Sequence, residues 1–334
     1  MISSRFLSAA LACGLAASLT LPAAAFPWSA PTEQSAPQSS QTQDNQPPIA
    51  RNMELSTYKN VAITGYFDAL DNDGDVLTFQ LTSTPARGSV TLAEDGSSQF
   101  IYTPYDNKAG KDSFKYVAVD PLGNTSAEAK VTIRIRKSGS KVDYADMDGD
   151  PAHKASIRLA EQGLFVGDCH SGSYFFQPTQ SVSRGEFLSL AMEVSGMEAM
   201  ENVTLTGFAD DQSIPAWCKG YVSSALKAGF IQGSRTQDGQ CVFEAMAPIT
   251  LGEATVMLNN LLDVTDVPVE TFSSGQITHW ASQSAANLAS AGVLRAEDAT
   301  PQAMSDTLTR SQAALLLDGA MDMLDSRKGG GLFF

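Results

Sequence analysis

Two hydrophobic rhythms divide the chain. Between residues 47 and 137, short stretches rich in β-branched and aromatic side chains alternate with turn chemistry. The stretches are Val76-Leu77-Thr78-Phe79, Ser89-Val90-Thr91-Leu92, Phe100-Ile101-Tyr102-Thr103, Phe114-Lys115-Tyr116-Val117-Ala118-Val119 and Val131-Thr132-Ile133-Arg134-Ile135. Asp73-Gly74, Pro85 to Gly88, Asp95-Gly96, Asn107 to Gly110 and Pro121-Leu122-Gly123 separate them. A period of two with turns about every 8–12 residues predicts an all-β antiparallel sandwich. After Ser138-Gly139-Ser140, which reads as a hinge, the spacing becomes helical.

The helical part repeats. Tyr144-Ala145-Asp146 recurs as Phe208-Ala209-Asp210 and, degraded, as Phe272-Ser273-Ser274. Gly163 to Gly167 recurs as Gly229 to Gly233, with only Gly292 kept in the third copy. Ser183-Arg184-Gly185-Glu186, Thr250-Leu251-Gly252-Glu253 and Thr309-Arg310-Ser311-Gln312 close the three copies. Each copy predicts a helix ending near a glycine, a loop and a second helix, which cannot close a core alone. Ser or Thr followed three residues later by Glu or Gln is a capping box, and Val182, Ile249 and Leu308 before it suit a hydrophobic staple.

The ends and the charge narrow the setting. Arg5, the apolar run Phe6 to Leu21 and Ala23-Ala24-Ala25 form a signal peptide over residues 1–25. Residues 26–46 are a flexible Pro/Ser/Gln-rich segment. No later stretch is long and apolar enough for a membrane span. The expected layout is a sandwich at 47–137, a linker at 138–141, repeats at 142–200, 206–264 and 270–325, and a tail at 326–334. The tail has no sortase motif. With 22 Lys+Arg against 37 Asp+Glu, the net charge is −15, which argues against nucleic acid or an anionic membrane as partner. Cys169, Cys218 and Cys241 are an odd set for an exported chain; Cys218 with Cys241 is the pair expected, against three free thiols.

The motifs of the β-region, Asp71-Asn72-Asp73-Gly74-Asp75, Tyr102-Thr103-Pro104, Gly110-Lys111-Asp112-Ser113-Phe114 and Asp120-Pro121-Leu122-Gly123, resemble bacterial cadherin-like, immunoglobulin-like surface modules from Asn45 to Ile135. Such modules are mostly spacers or adhesive units. Asp71, Asp73 and Asp75 are candidate Ca²⁺ ligands, because Ca²⁺ takes six to eight oxygens. The alternative is a solvated turn whose Asp side chains cap their own backbone. No other cofactor is expected.

The ordered set in residues 142–325 resembles the S-layer homology repeat. That resemblance implies an all-α bundle of three repeats whose grooves bind secondary cell-wall polysaccharide, often pyruvylated, or peptidoglycan. The implied binding residues are Asp146, Arg184, Asp210, Trp217, Gly229, Gly233, Trp280 and Arg310. Arg184 and Arg310 sit at the first helical position, where the dipole disfavours a cation. A guanidinium beside free N–H groups makes an anion site; the alternative is a salt bridge to Asp146 or Asp210. Trp217 and Trp280 stack on sugar or pack in the core. The glycines are ligand-approach points or plain C-caps. Leu251 replaces the arginine of the second repeat, so one or two grooves are expected to work.

His153 and His170 fall in the first repeat and His279 in the third, without a matched nucleophile, so no enzyme is expected. The reading is an exported, noncatalytic protein held at the cell wall and displaying an Ig-like module. Its rival is an adhesive or structural surface protein acting through the β-domain, with repeats too degenerate to bind.

Overall fold

Residues 45–269 and 279–329 are described by a computed structural model. The leader at 1–25, the lead-in as far as residue 44, the Phe272-Ser273-Ser274 motif and residues 330–334 lie outside the described part.

The period-two region forms β1 (Ile49–Ala50), β2 (Met53–Tyr58), β3 (Ile63–Tyr66), β4 (Ala69–Leu70), β5 (Thr78–Ser83), β6 (Gly88–Leu92), β7 (Gln99–Pro104), β8 (Gly110–Val119) and β9 (Ala129–Arg136). One sheet runs β2-β9-β8-β5 and the facing sheet β3-β7-β6, while β1 and β4 form a two-residue clip. All pairs are antiparallel except β2 with β9. Inward residues alternate as the pattern requires: Phe114 and Tyr116 on β8, Val131 and Ile133 on β9, Phe100 and Tyr102 on β7 are all fully buried. Phe67 lies at their centre, with ring centroids 4.5 Å from Phe100 and 4.3 Å from Tyr116. Burial alone would raise the carboxyl of Asp112. Hydrogen bonds from the Tyr102 hydroxyl and the N–H groups of Ala86, Arg87 and Ser113 instead hold it below the usual carboxylate range.

Four of the five expected stretches are strands. The first begins only at Thr78, leaving Val76 82% exposed in a loop. The pattern did not single out β2 and β3. In β3, Gly65 keeps the strand against the Phe100 ring, where a Cβ would come within 2.4 Å.

The helical part contains three helix pairs. The first is α1 (His153–Glu161) and α2 (Arg184–Ser195), joined through a hairpin of β10 (Asp168–His170) and β11 (Ser173–Phe175). The second is α3 (Ala216–Ala228) and α4 (Leu251–Leu262), joined through β12 (Ser234–Arg235) and β13 (Cys241–Val242). The third is α5 (Ser282–Ser290) and α7 (Arg310–Gly329), with the short α6 (Pro301–Ser305) between them. Helix α7 runs past residue 325, through the start of the expected tail.

A closed ring of backbone hydrogen bonds joins the pairs. The Val182 N–H donates to Leu308 O at 3.0 Å, Leu308 N–H to Ile249 O at 2.8 Å, and Ile249 N–H to Val182 O at 3.0 Å. All three side chains are buried. Beside the ring, the capping boxes of α2 and α4 are complete. At the start of α7, Thr309 and Gln312 exchange the same two bonds at 2.9 and 3.2 Å.

The sandwich and the helices share a core. Tyr58 and Val61, at the β2–β3 turn, belong to the helical cluster with Leu159, Phe187 and Leu188. The Tyr58 hydroxyl donates to Glu161 Oε2 at 2.5 Å, and Arg136 lies over the Tyr58 ring. The other oxygen of Glu161 takes the Gly139 N–H, so the expected hinge is pinned. Arg158 holds α1 to α7 through Asp318, Asp322 and Asp325. His153 is buried at the same junction, lining a small cavity of about 80 Å³ with Ile63, Thr64 and Ile101; its Nε2 has no hydrogen-bond partner among the described residues.

These contacts predict one cooperative transition for the sandwich and helices together. Calorimetry should show a single endotherm, and Tyr58→Ala should lower stability of the whole unit by about 3–5 kcal/mol; two resolved transitions would contradict the shared core. Burial lowers the pKa of His153 against the opposing pull of Asp148, Asp143, Asp150 and Asp146. The unfolded chain regains a value of about 6.5 and binds a proton that the folded state refuses. Stability should therefore fall as pH drops below about 6.5, and chemical denaturation of His153→Leu should show a shallower slope there.

Candidate functional site

The starts of α2 and α7 place an arginine at the first helical position, but their N–H groups are not free. Arg184 N–H donates to Ala247 O and Gly185 N–H to Ala245 O; Arg310 N–H donates to Gln180 O and Ser311 N–H to Pro178 O. The third N–H is taken by the capping side chain. The expected anion site of open helix N–H groups is therefore absent at both positions, because the neighbouring pair's loop supplies carbonyl acceptors.

The arginines reach across pairs instead. Arg184 is 9% exposed; its Nε donates to Phe243 O at 2.9 Å and its Nη1 lies 2.6 Å from Glu253 Oε1. Glu253 caps Thr250 with its other oxygen. Arg310 donates Nε to Phe176 O at 2.6 Å, and its guanidinium lies 4.0 Å from the Phe165 ring centroid and 4.9 Å from that of Phe176. Among the described residues no carboxylate lies within 4.0 Å of it. Burial pushes its pKa down, opposed by Glu186, Tyr144, Asp168 and Asp146.

Asp146 and Asp210 fix the loops that hold these arginines. Asp146 accepts the Phe176 and Gln177 N–H groups at 2.8 and 2.7 Å, and Asp210 accepts those of Phe243 and Glu244 at 2.9 and 2.8 Å. Gln177 and Glu244 have left-handed backbones, and the aspartate bonds hold that turn. The salt bridge weighed for the arginines forms at Arg184 alone, and it goes to Glu253 rather than to either aspartate.

Residues from three pairs meet in a groove of about 320 Å³. Arg184, Phe230, Gly233, Glu253, Met257 and Trp280 line it. Thus Arg184, Gly233 and Trp280, far apart in sequence, converge. Trp280 is 65% exposed and Trp217 50% exposed, so neither is a core residue. Gly233 has a structural reason: a Cβ would come within 2.5 Å of the Phe208 ring. Gly229 ends α3 in the left-handed conformation with open space around it. Glu253 and Phe230 were not foreseen as groove residues; Glu253 had only its capping role as a signal.

Cys218 and Cys241 do not pair. Cys218 is buried, within 2.8 Å of where a Cβ on Gly185 would stand, and its thiol is pushed up to about 11 by burial. Cys241 donates instead to Gln232 O at 3.0 Å. In the sandwich, Asp71 and Asp75 converge with Asp120, whereas the Asp73 carboxylate accepts the Gln46 N–H at 2.7 Å. Among the described residues no helix is long and apolar enough to cross a membrane.

Residues 45–134 match the bacterial Ig domain family. The two-sheet order fits that match, and it stops short of the helices. Three curated relatives align over partial lengths. The exoglucanase XynX of Acetivibrio thermocellus is 28% identical over 39% of this chain and 12% of its own. An amylopullulanase of Thermoanaerobacterium thermosulfurigenes is 27% identical over 36% and 6%. A surface-layer 125 kDa protein of Lysinibacillus sphaericus is 25% identical over 37% and 10%. The chain thus spans about a tenth of the length of the curated relatives it matches. An endo-fucoidan hydrolase of glycoside hydrolase family 107 superposes over 28% of this chain and 14% of its own, at 24% identity and a TM-score of 0.24, too low to carry an argument.

The site predicts that Arg184 stabilises the joint between the first two helix pairs. Arg184→Ala should cost about 1.5–3 kcal/mol, as expected for hydrogen bonds to a charged group, although the helix dipole alone would favour the change. Thr250→Ala should cost about 1 kcal/mol through its cap. Urea unfolding of the full chain measures both, and an unchanged midpoint for Arg184→Ala would show the contact to be idle.

Proposed function

We propose that the chain is a noncatalytic, exported cell-surface protein whose helical half binds an acidic cell-wall polysaccharide, such as a pyruvylated one, and displays the Ig domain. The observation that carries this reading is the groove in which Arg184 and the exposed Trp280 meet, formed by three helix pairs. An aromatic face suits a sugar ring and a guanidinium fork suits a carboxylate. The similarity to a surface-layer protein supports the same setting. Residues from Ser138 onward include 11 Lys or Arg and 24 Asp or Glu, so attraction for an acidic polymer has to be local.

The exposed tryptophans give the cleanest test, because removing them leaves the core intact. Each aromatic contact contributes about 0.5–1.5 kcal/mol beyond buried area. Trp217→Ala with Trp280→Ala should therefore weaken sedimentation of the full chain with purified walls about tenfold or more, with thermal unfolding unchanged. Stripping the polysaccharide with hydrofluoric acid should abolish sedimentation of the wild type. Equal binding to stripped walls, or by the double variant, would sink this reading and favour recognition through the Ig domain.

A further inference from the structure

The groove at Trp280 is assembled from four parts of the repeated unit. They are the loop after a first helix (Phe230 and Gly233), the second helix of that pair (Val256 and Met257), the start of the next pair's first helix (Trp280), and Arg184 from the remaining pair. The same parts meet once more between the third pair and the first. Counted from the helix-ending glycines and the capping residues, Trp280 corresponds to Pro151, Gln232 to Arg295, Val256 to Leu315 and Arg184 to Leu251. Pro151, Arg295 and Leu315 do line one cavity, of about 210 Å³. Its other wall is the sandwich: Leu55 and Ser56 of β2, and Ile63, Thr64 and Tyr66 of β3.

This position departs from the open groove in ways that suit a protein occupant. Trp217 and Trp280 stand 50% and 65% exposed, and a ring projecting in that way from residue 151 would meet β3. Pro151, Ile63 and Thr64 border both this cavity and the smaller one at His153, so the strand crosses at Pro151 between the two. Where the first two pairs carry Val166 and Gln232, the third carries Arg295. Its guanidinium donates to the Tyr66 hydroxyl and lies 5.9 Å from that ring's centroid. Asp298 holds it in place by accepting from Nε and Nη2 at 2.8 and 2.9 Å. Leu251, in the place of an arginine, offers a carboxylate nothing. Tyr58 and Val61, at the β2–β3 turn, are buried in the helical core, so a ligand would have to uproot the sandwich to enter.

We propose that the Ig domain is the permanent occupant of the third groove, which leaves ligand the two positions marked by Trp217 and Trp280 and fixes the Ig domain in one orientation on the helical half. The substitutions of the third groove are then adaptations to the sandwich rather than decay. Only the identity of what binds at the other two positions rests on the proposed function.

Labelling of introduced thiols tests this in the full chain. Cys169 and Cys241 are first replaced by serine, with Cys218 left buried. Val256→Cys then puts a thiol in the open groove, and Leu315→Cys puts one at the matching place beside the sandwich. A long-chain polyethylene glycol maleimide, a polymer as a wall glycan is, should label Leu315→Cys at least about tenfold more slowly than Val256→Cys, because reaction there waits on local opening. Purified walls should slow labelling of Val256→Cys and leave Leu315→Cys unchanged. Equal polymer rates in the two chains, or protection of Leu315→Cys by walls, would overturn the proposal. Walls that protect neither would sink the proposed function, while the polymer rates alone still decide whether the third groove is filled. A cycle without cysteines gives a second measure: urea midpoints of Tyr66→Ala, Arg295→Ala and the double variant should be non-additive, and strictly additive shifts would count against the docked strand.

Discussion

The helical half depends on the ring of three backbone hydrogen bonds through Val182, Ile249 and Leu308. Each residue both donates and accepts within the ring, so no pair can be withdrawn without leaving two buried polar groups unsatisfied. The ring also fixes where the second helices begin. It brings the first turns of α2, α4 and α7 so close to the neighbouring loops that those loops accept the helix N–H groups directly. This is why Gly185 and Gly252 stand just inside α2 and α4. A Cβ on Gly185 would meet Cys218 at 2.8 Å and one on Gly252 would meet Met304 O at 2.8 Å. The third pair has Ser311 there, whose hydroxyl finds Asp150 at 2.7 Å.

Around that ring, the same chain of contacts is built twice. An aspartate holds the N–H of an aromatic residue, and the carbonyl of that residue holds the arginine of the adjoining pair: Asp146, Phe176 and Arg310, then Asp210, Phe243 and Arg184. The aspartate therefore acts on the arginine through the backbone of a residue with 0% exposure. The third position lacks the chain, because Leu251 carries no donor and is itself buried in the shared core.

Much of this was legible in the sequence because it is local. Capping boxes, glycines near helix ends and the period of two are set by residues a few positions apart, and the boxes and four of the five stretches lie where the pattern put them. What escaped depends on pairing across distance. Glu253 reads as a cap from its own neighbourhood, and its second oxygen reaches Arg184 only because the ring sets the pairs side by side. Strands β2 and β3 carry polar and small residues, Glu54, Ser56, Thr64 and Gly65, that blur alternation; they are strands because β9 and β7 pair with them. Tyr58 and Val61 look like turn-flanking residues of the sandwich, yet their burial comes from the helices. The hinge at Ser138 to Ser140 was read from composition alone, and composition cannot foresee that Glu161 binds Gly139.

The two arginines differ in a way that bears on binding an acidic ligand. Arg184 already has a carboxylate, Glu253, at 2.6 Å, so a sugar carboxylate there must share or displace it, and displacement frees a charge that also caps α4. Arg310 sits between aromatic rings with its Nε on a carbonyl, without a carboxylate partner in ion-pair distance among the described residues. Its partial burial has removed hydration, and Glu186, Asp168 and Asp146 act on it only from beyond ion-pair distance. An arriving carboxylate meets a cation without an ion-pair partner among the described residues at Arg310 and a contested one at Arg184. On the proposed reading, an acidic ligand therefore has guanidinium contacts of two kinds: Arg184 in the groove with Trp280, where Glu253 competes, and Arg310, where no carboxylate stands in ion-pair distance among the described residues.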